Sequence, residues 1–231
     1  MDPSASIYTT LTLRLYDLIV LVFSNTFAWR CPTRSVLLPF YQKHTSGSSA
    51  HLEVGPGTDF YPSTAVSTGG SLSKTVLITL CDLNPHTLIY SRHRLASAGY
   101  NGSVETLQHD IFQPLPVAHR SKYDSVALFY VLHCLPGSFP RKARAVFATV
   151  APALVPDGVV FGCTILGRGV AHNWLGSGLM ALYNWKGIFG NAGDTEEGLR
   201  RALEGAFEEW EVRVVGVVAL FEARRPRTEQ S

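Results

Sequence analysis

From position 50 onward, short apolar runs alternate with stretches whose apolar residues recur every three or four positions. Ala50–Val54, Val76–Cys81, Val126–Val131 and Val159–Ile165 have the length of buried strands, and Val104–His109 reads as a further strand. Near-continuous apolar runs are what a sheet covered on both faces requires. Between them lie helical patterns. Asp59–Ser67 is one, weakened by Pro62. A second is capped by Asn84, carries Pro85 at its first position and runs to about Ala98. Pro140–Leu154 places Ala143, Val146, Phe147 and Val150 at helical spacing, and Trp174–Ile188 is a further helix. Asp194-Thr-Glu-Glu197 carries a capping-box signature for a helix through Phe207. Glu211–Val215 and Val217–Glu222 read as two strands about Gly216, and Arg224–Ser231 is a charged tail. The alternation predicts an α/β fold around a mostly parallel sheet with helices on both faces.

The first 49 residues do not follow this rhythm. After a frayed leader over 1–10, Leu11–Phe23 reads as a buried helix, and Asn25–Pro32 breaks it. Thr33–His44 reads as a second helix with Pro39 awkward in its middle, and Thr45–Ser49 is a loop. Leu11–Trp29 is the most apolar segment, but Arg14 and Asp17 interrupt it, and Ser24, Asn25 and Thr26 lie in its uncharged part. A membrane span needs about 20 apolar residues, and no basic leader with a cleavage site precedes the segment. The expected organisation is an N-terminal helical segment over 1–49, serving as a lid, ahead of an α/β domain over 50–231.

Composition narrows the partners. A hydrophobic share of 46% with 16% charged residues in 231 suits a globular core. A net charge of +2 without a long basic run gives nucleic acid or an anionic membrane little to hold. Cys31, Cys81, Cys134 and Cys163 are far apart and form no C-x-x-C pair. This argues against a metal site or a disulfide framework and for a reducing, cytoplasmic setting. The sequence leaves the oligomeric state open.

The chemistry gathers around His51-Leu-Glu-Val-Gly-Pro-Gly-Thr58. Gly55 and Gly57 let the chain turn sharply after the first strand and approach a ligand without a Cβ in the way. Phe60 stands where a dinucleotide fingerprint needs its third glycine, and no lysine follows as in a phosphate-binding loop. Three acids, Glu53, Asp82 and Asp110, end the first three strands, which in a parallel sheet places them at the ligand crevice. Each alone is an ordinary turn or cap residue; the series with Gly55-x-Gly57 is more specific.

Glu53-x-Gly55-x-Gly57, with these acids, resembles the class I S-adenosylmethionine (SAM)-dependent methyltransferases of small-molecule type. The resemblance covers about residues 50–224. It implies a seven-stranded sheet with the last strand antiparallel, and SAM as cofactor. Asp82 in Leu80-Cys-Asp-Leu-Asn84 matches the acid for the ribose diol, with Leu83 beside it. Asp110 in His109-Asp-Ile-Phe112 matches the acid for the adenine amino group, with Ile111 as backbone neighbour. Glu53 and the Gly55–Thr58 backbone match the floor under the methionine portion. Phe129-Tyr-Val-Leu-His-Cys-Leu-Pro136 resembles the motif beside the sulfonium, with Tyr130 as cofactor packing. Asp59 stands where the family has Gly or Ala. It reads either as a helix N-cap or as a charge near the SAM carboxylate that Arg30 or Arg34 would have to offset.

Methyl transfer from a sulfonium is an in-line displacement accelerated mainly by positioning. His133, just past strand four, is the candidate base should the acceptor need to lose a proton. Tyr16, Trp29, His172 and Asn173 are candidate acceptor contacts, and Trp174, Tyr183, Trp185 and Phe189 could line an apolar pocket. The expected reaction is methylation of O, N or C on a small apolar or aromatic metabolite. Two readings stand beside it: a cyclase or isomerase that keeps the SAM pocket, and a non-catalytic SAM-binding subunit.

Overall fold

The computed structural model describes residues 17–67 and 69–227. Helix α1 (Asp17–Ala28) and helix α2 (Leu38–Thr45) precede the sheet. Strands β1 (Ala50–Val54), β2 (Leu77–Asp82), β3 (Ser103–Gln108), β4 (Tyr123–Phe129), β5 (Leu154–Ile165), β6 (Phe207–Val215) and β7 (Val218–Pro226) form one sheet in the order β3-β2-β1-β4-β5-β7-β6. The first five are parallel, and β7 runs antiparallel to β5 and β6. This is the expected seven-stranded architecture. The order reverses between β1 and β4, which opens a crevice at their C-terminal ends.

Helices α3 (Phe60–Ser67) and α4 (Pro85–Ser97) cover one face together with α2. Helices α5 (Arg141–Val150) and α7 (Glu196–Ala206) cover the other. Alternation along the strands divides the side chains: Leu52 and Val54 pack towards α5 and α7, while Ile78, Leu80, Phe129 and Phe161 pack towards α2–α4. Fully burying one such side chain contributes about 1.5–3 kcal/mol. No helix joins β3 to β4; Pro114 and Pro116 interrupt that connection, and a short turn at Val117–His119 stands in its place.

Several boundaries differ from expectation for identifiable reasons. Helix α1 runs through Asn25 to Ala28, wound wide with bonds such as Trp29 N–H to the Ser24 carbonyl (2.8 Å), so the expected break lies later. The stretch Thr33–His44 is helical as expected, a wide turn over Thr33–Leu37 leading directly into α2, and Pro39 falls in the first turn of α2. Helix α5 stops at Val150 because the turn Ala151–Ala153 contains Pro152, and β5 starts at Leu154 with an irregular register before Val159. Thr195, not Asp194, caps α7, its side chain accepting from Gly198 N–H.

The hairpin between β6 and β7 turns on Gly216, at φ +62°. A Cβ there would lie 2.2 Å from the Trp29 carbonyl oxygen, and Val217 N–H donates to that same oxygen at 3.0 Å. Only glycine lets the hairpin tip close on the N-terminal segment. That segment is thereby fixed over the β4–β5 end of the sheet. Among the described residues no helix is long and apolar enough to cross a membrane.

Candidate active site

The loop after β1 has the shape its glycines allow. Gly55 and Gly57 take φ +62° and +56°. A Cβ on Gly55 would meet Val131 Cγ2 at 2.8 Å, whereas Gly57 faces open space. The backbone of one glycine is therefore packed against the strand-four exit, and the other is bare towards the crevice. Arg94 of α4 holds the loop from below, donating from Nη1 to the Thr58 carbonyl at 2.5 Å. Asp59 is fully buried with φ +58°, and its carbonyl accepts from Ser63 N–H at 3.2 Å to open α3. Arg30 lies elsewhere, donating to the Ala171 carbonyl.

The acids at the next two strand ends are half-exposed. Asp82 Oδ1 accepts from Asn84 N–H at 2.8 Å, and Asp110 Oδ1 from Phe112 N–H at 3.0 Å. Burial raises the Asp82 pKa while the N–H groups of Asn84 and Leu83 pull it back. His109 N–H donates to the Asp82 carbonyl at 3.0 Å, which brings the two acid-bearing ends together. Ile111 is buried beside them, and Leu83 is exposed at the rim. Glu53 differs from both acids, being only 2% exposed.

Across the crevice the surroundings turn aromatic. Tyr130 leaves β4 at φ +58°, an uncommon conformation for a bulky residue. Its hydroxyl donates to Asn25 Oδ1 at 2.9 Å, and Asn25 Nδ2 donates to Thr33 Oγ1 at 2.8 Å. His133 is 3% exposed, edge-on to Phe189 (4.5 Å between centroids) and to Tyr130 (5.5 Å). Burial, helped by the charge of Lys142, lowers its pKa from 6.5 to about 3, so the ring is neutral at physiological pH. Its Nδ1 is buried with no hydrogen-bond partner among the described residues. Trp29 packs against Phe189 (6.2 Å) and His172 (6.3 Å), and Tyr183 against Phe189 (4.9 Å).

Three chain segments build this chamber. His172 Nε2 donates to the Leu166 carbonyl at 2.9 Å; Asn173 caps helix α6 (Trp174–Trp185) and donates from Nδ2 to the Phe27 carbonyl at 2.6 Å. A buried ion pair, Lys142 Nζ to Asp194 Oδ2 at 2.7 Å, sits behind His133. Lys142 also donates to the carbonyls of Leu135 (3.2 Å) and Gly190 (2.7 Å). Burial pushes the Lys142 pKa down and that of Asp194 up, and their contact opposes both shifts. Trp174 and Trp185, expected as pocket lining, are instead 85% and 81% exposed. Tyr16 lies outside the described residues. A groove of about 400 Å³ between α2 and the β6–β7 hairpin, lined in part by Phe40, Lys43, Arg213 and Glu222, touches none of these groups. The strand ends, where acids, bare backbone and the aromatic chamber converge, are the candidate site.

No protein-family model matches the chain. It is 40% identical over 226 residues to the physcion biosynthesis cluster O-methyltransferase of Aspergillus chevalieri, covering 98% of this chain and 96% of that one. It is 41% identical over 233 residues to methyltransferase verB of Penicillium polonicum, covering 98% and 100%. The chain belongs to the class I SAM-dependent methyltransferases. Likeness to solved structures extends the fold: an O-methyltransferase family protein from Burkholderia thailandensis superposes with TM-score 0.64 at 16% identity, over 98% of this chain and 63% of that one. The N-methyltransferase NodS from Bradyrhizobium japonicum, solved with S-adenosylhomocysteine (SAH), gives 0.56 at 14% identity, over 83% and 85%. SAM is thus the methyltransferase's cofactor and a small molecule its acceptor.

The sequence points to Glu53, Gly55, Gly57, Thr58, Asp82, Leu83, Asp110, Ile111 and Tyr130, which lie at or just beyond the C-terminal ends of β1–β4. It did not find Asn25, Lys142, Asp194, or the partners of Glu53: Tyr41, His51 and Ser125. For the last group a signal existed. His51 and Glu53 are two residues apart on a strand meant to be buried, so both had to share a face and find partners there.

Proposed function

We propose that this methyltransferase methylates an oxygen of a small aromatic metabolite of secondary metabolism, with positioning as the main source of rate. SAM, when bound, supplies an electrophilic methyl group on a sulfonium. The bare loop at Gly57 suits a ligand without phosphate. Asp82 is the acceptor for the ribose diol, Asp110 with Ile111 takes the adenine, and Glu53 with the Gly55–Thr58 backbone takes the methionine portion. The N-terminal segment acts as the lid, and Trp29, His172, Asn173, Tyr183 and Phe189 hold the acceptor. The observation that carries this reading is the aromatic chamber built on His133, beside the end of β4. Apolar pockets with a few polar groups suit aromatic ligands.

His133 is assigned an orienting role. With a pKa near 3 it is a poor proton acceptor at neutral pH, but its unpartnered Nδ1 can take a hydrogen bond from the acceptor. The acceptor's own acidity then sets how readily its oxygen attacks, and the proton leaves to solvent. Nitrogen is the second reading, because the chain is also 38% identical to N-methyltransferase vrtF of Penicillium aethiopicum. The free thiols support a cytoplasmic setting: Cys31, Cys81 and Cys163 are buried, and burial pushes Cys31 and Cys81 up to about 12. The test is incubation with methyl-deuterated SAM and a panel of phenols, carboxylic acids and aromatic amines, followed by mass spectrometry. Label on a phenolic oxygen, at a rate that follows the phenol's own pKa, is expected. Label on amines alone would move the assignment to nitrogen.

A further inference from the structure

A strand covered on both faces has no structural need for a carboxylate, and desolvating one is costly unless it is paired. Yet β1 carries His51 at 0% exposure and Glu53 at 2%. Two residues apart, they project to the face occupied by α2. Tyr41, fully buried on α2, donates its hydroxyl to Glu53 Oε2 at 2.6 Å, and His51 Nε2 lies 2.9 Å from that same oxygen. Behind His51 the network continues: Nδ1 is 2.7 Å from Ser125 Oγ, its register partner on β4, and Ser125 Oγ is 2.8 Å from Ser48 Oγ. Both contacts of the carboxylate fall on Oε2. Among the described residues Oε1 takes no hydrogen bond.

The geometry points to Tyr41 and His51 as positioning residues that pin one oxygen of Glu53 and so present the other to the amino-acid portion of the cofactor. This rests on the assignment of Glu53 to the methionine portion. A carboxylate held twice through one oxygen cannot rotate without breaking two bonds, each of the charge-assisted kind. The Tyr41 ring is itself fixed, edge-on to Phe129 (5.0 Å) and Phe161 (5.6 Å) and stacked on Tyr61 (5.7 Å). Burial, then the charge of Glu53, holds its pKa well above 10, so it remains a donor at every physiological pH. Tyr41 lies on α2, ahead of the α/β unit, so the N-terminal segment is wired to the cofactor floor as well as to the acceptor side.

The test compares two ligands in full-length protein by calorimetry. SAH carries the amino-acid group, and 5′-methylthioadenosine has the same adenosine and thioether without it. Glu53→Gln should weaken SAH roughly tenfold or more and change 5′-methylthioadenosine less than about twofold. Tyr41→Phe should show the same selectivity at about fivefold to tenfold, and adding it to Glu53→Gln should cost little more. Equal weakening of both ligands by Tyr41→Phe, or no change in either, would overturn the positioning role. If Glu53→Gln itself fails to discriminate, the assignment of Glu53 falls first and the positioning role with it. Should Tyr41→Phe not fold, His51→Gln carries the same comparison, with the same outcomes for and against.

Discussion

The two sides of the crevice solve their polar groups differently. On the β1–β3 side, Asp82 and Asp110 stand half-exposed at strand ends, each using one oxygen on a nearby backbone N–H and remaining open to solvent. On the β4–β5 side, His133 and Trp29 are buried among aromatic rings, and the charges present, Lys142 and Asp194, are sealed behind them. Asp82 and Asp110 each come from one short piece of chain, whereas Glu53 is held by Tyr41 from α2 and by His51. The aromatic chamber needs residues near 25–31, 130–142 and 166–194 to meet. At Asp82 and Asp110 the proposed cofactor side is therefore modular and tolerant, and the proposed acceptor side is a cooperative assembly. Damage should be local on the first and collective on the second.

The largest expected effect is on the assembled side. Asp194→Ala leaves Lys142 buried without its countercharge, and breaking such a pair costs about 3–5 kcal/mol. Urea unfolding followed by tryptophan fluorescence should show the midpoint fall accordingly. A change under about 1 kcal/mol would mean the pair is solvated and the two sides are not so different.

A smaller and more local effect is expected at Asp82. In its proposed role Asp82 holds the ribose diol, and Asp82→Ala then removes a charge-assisted bond worth about 1.5–3 kcal/mol. Calorimetry should show SAH binding about tenfold weaker or more, with the unfolding midpoint nearly unchanged. Unaltered affinity in a folded variant would remove Asp82 from the site. The opposite pairing, a large stability loss with intact binding, would reverse the proposed contrast.

A further effect sharpens the contrast through pH. His133 titrates near 3 in the folded protein against 6.5 unfolded, so the unfolded chain binds the extra proton as pH falls. Its contribution to stability is fully present above about pH 6.5 and is lost as pH drops towards 3. His44, lowered to about 4 by burial, acts in the same window. The readout is therefore the difference between wild type and His133→Gln in stability measured from pH 7 to 4. The variant should have the shallower slope. Equal slopes would mean the ring is protonated as easily in the fold as out of it.

How much of this was legible in the sequence follows from the same contrast. Runs such as Leu77–Cys81 and Val126–Phe129 had to be buried strands, and an acid directly after such a run had to stand at the crevice. Local signals were enough for Asp82 and Asp110, but not for the partners of Glu53. The caps and breaks were readable where one residue decides, as at Asn84 and Pro85. They were misplaced where tertiary contact decides: Asp194 looked like a cap, but its carboxylate is taken by Lys142 from 52 positions away in the chain. The α1 boundary failed similarly, because Asn25, a helix breaker by local preference, is held by Tyr130 and Thr33. Trp174 and Trp185 had the composition of pocket lining, but which helix face meets the sheet was not written in α6 itself.

Trp29→Ala measures the separability of the two sides most directly. Trp29 packs on His172 and Phe189. With the acceptor that the labelling test identifies, the variant should keep SAH affinity within about twofold while kcat/KM for the acceptor falls roughly tenfold or more, as expected when a buried aromatic is removed from a binding pocket. Loss of SAH affinity in step with turnover would contradict the division of the crevice into a cofactor side and an acceptor side.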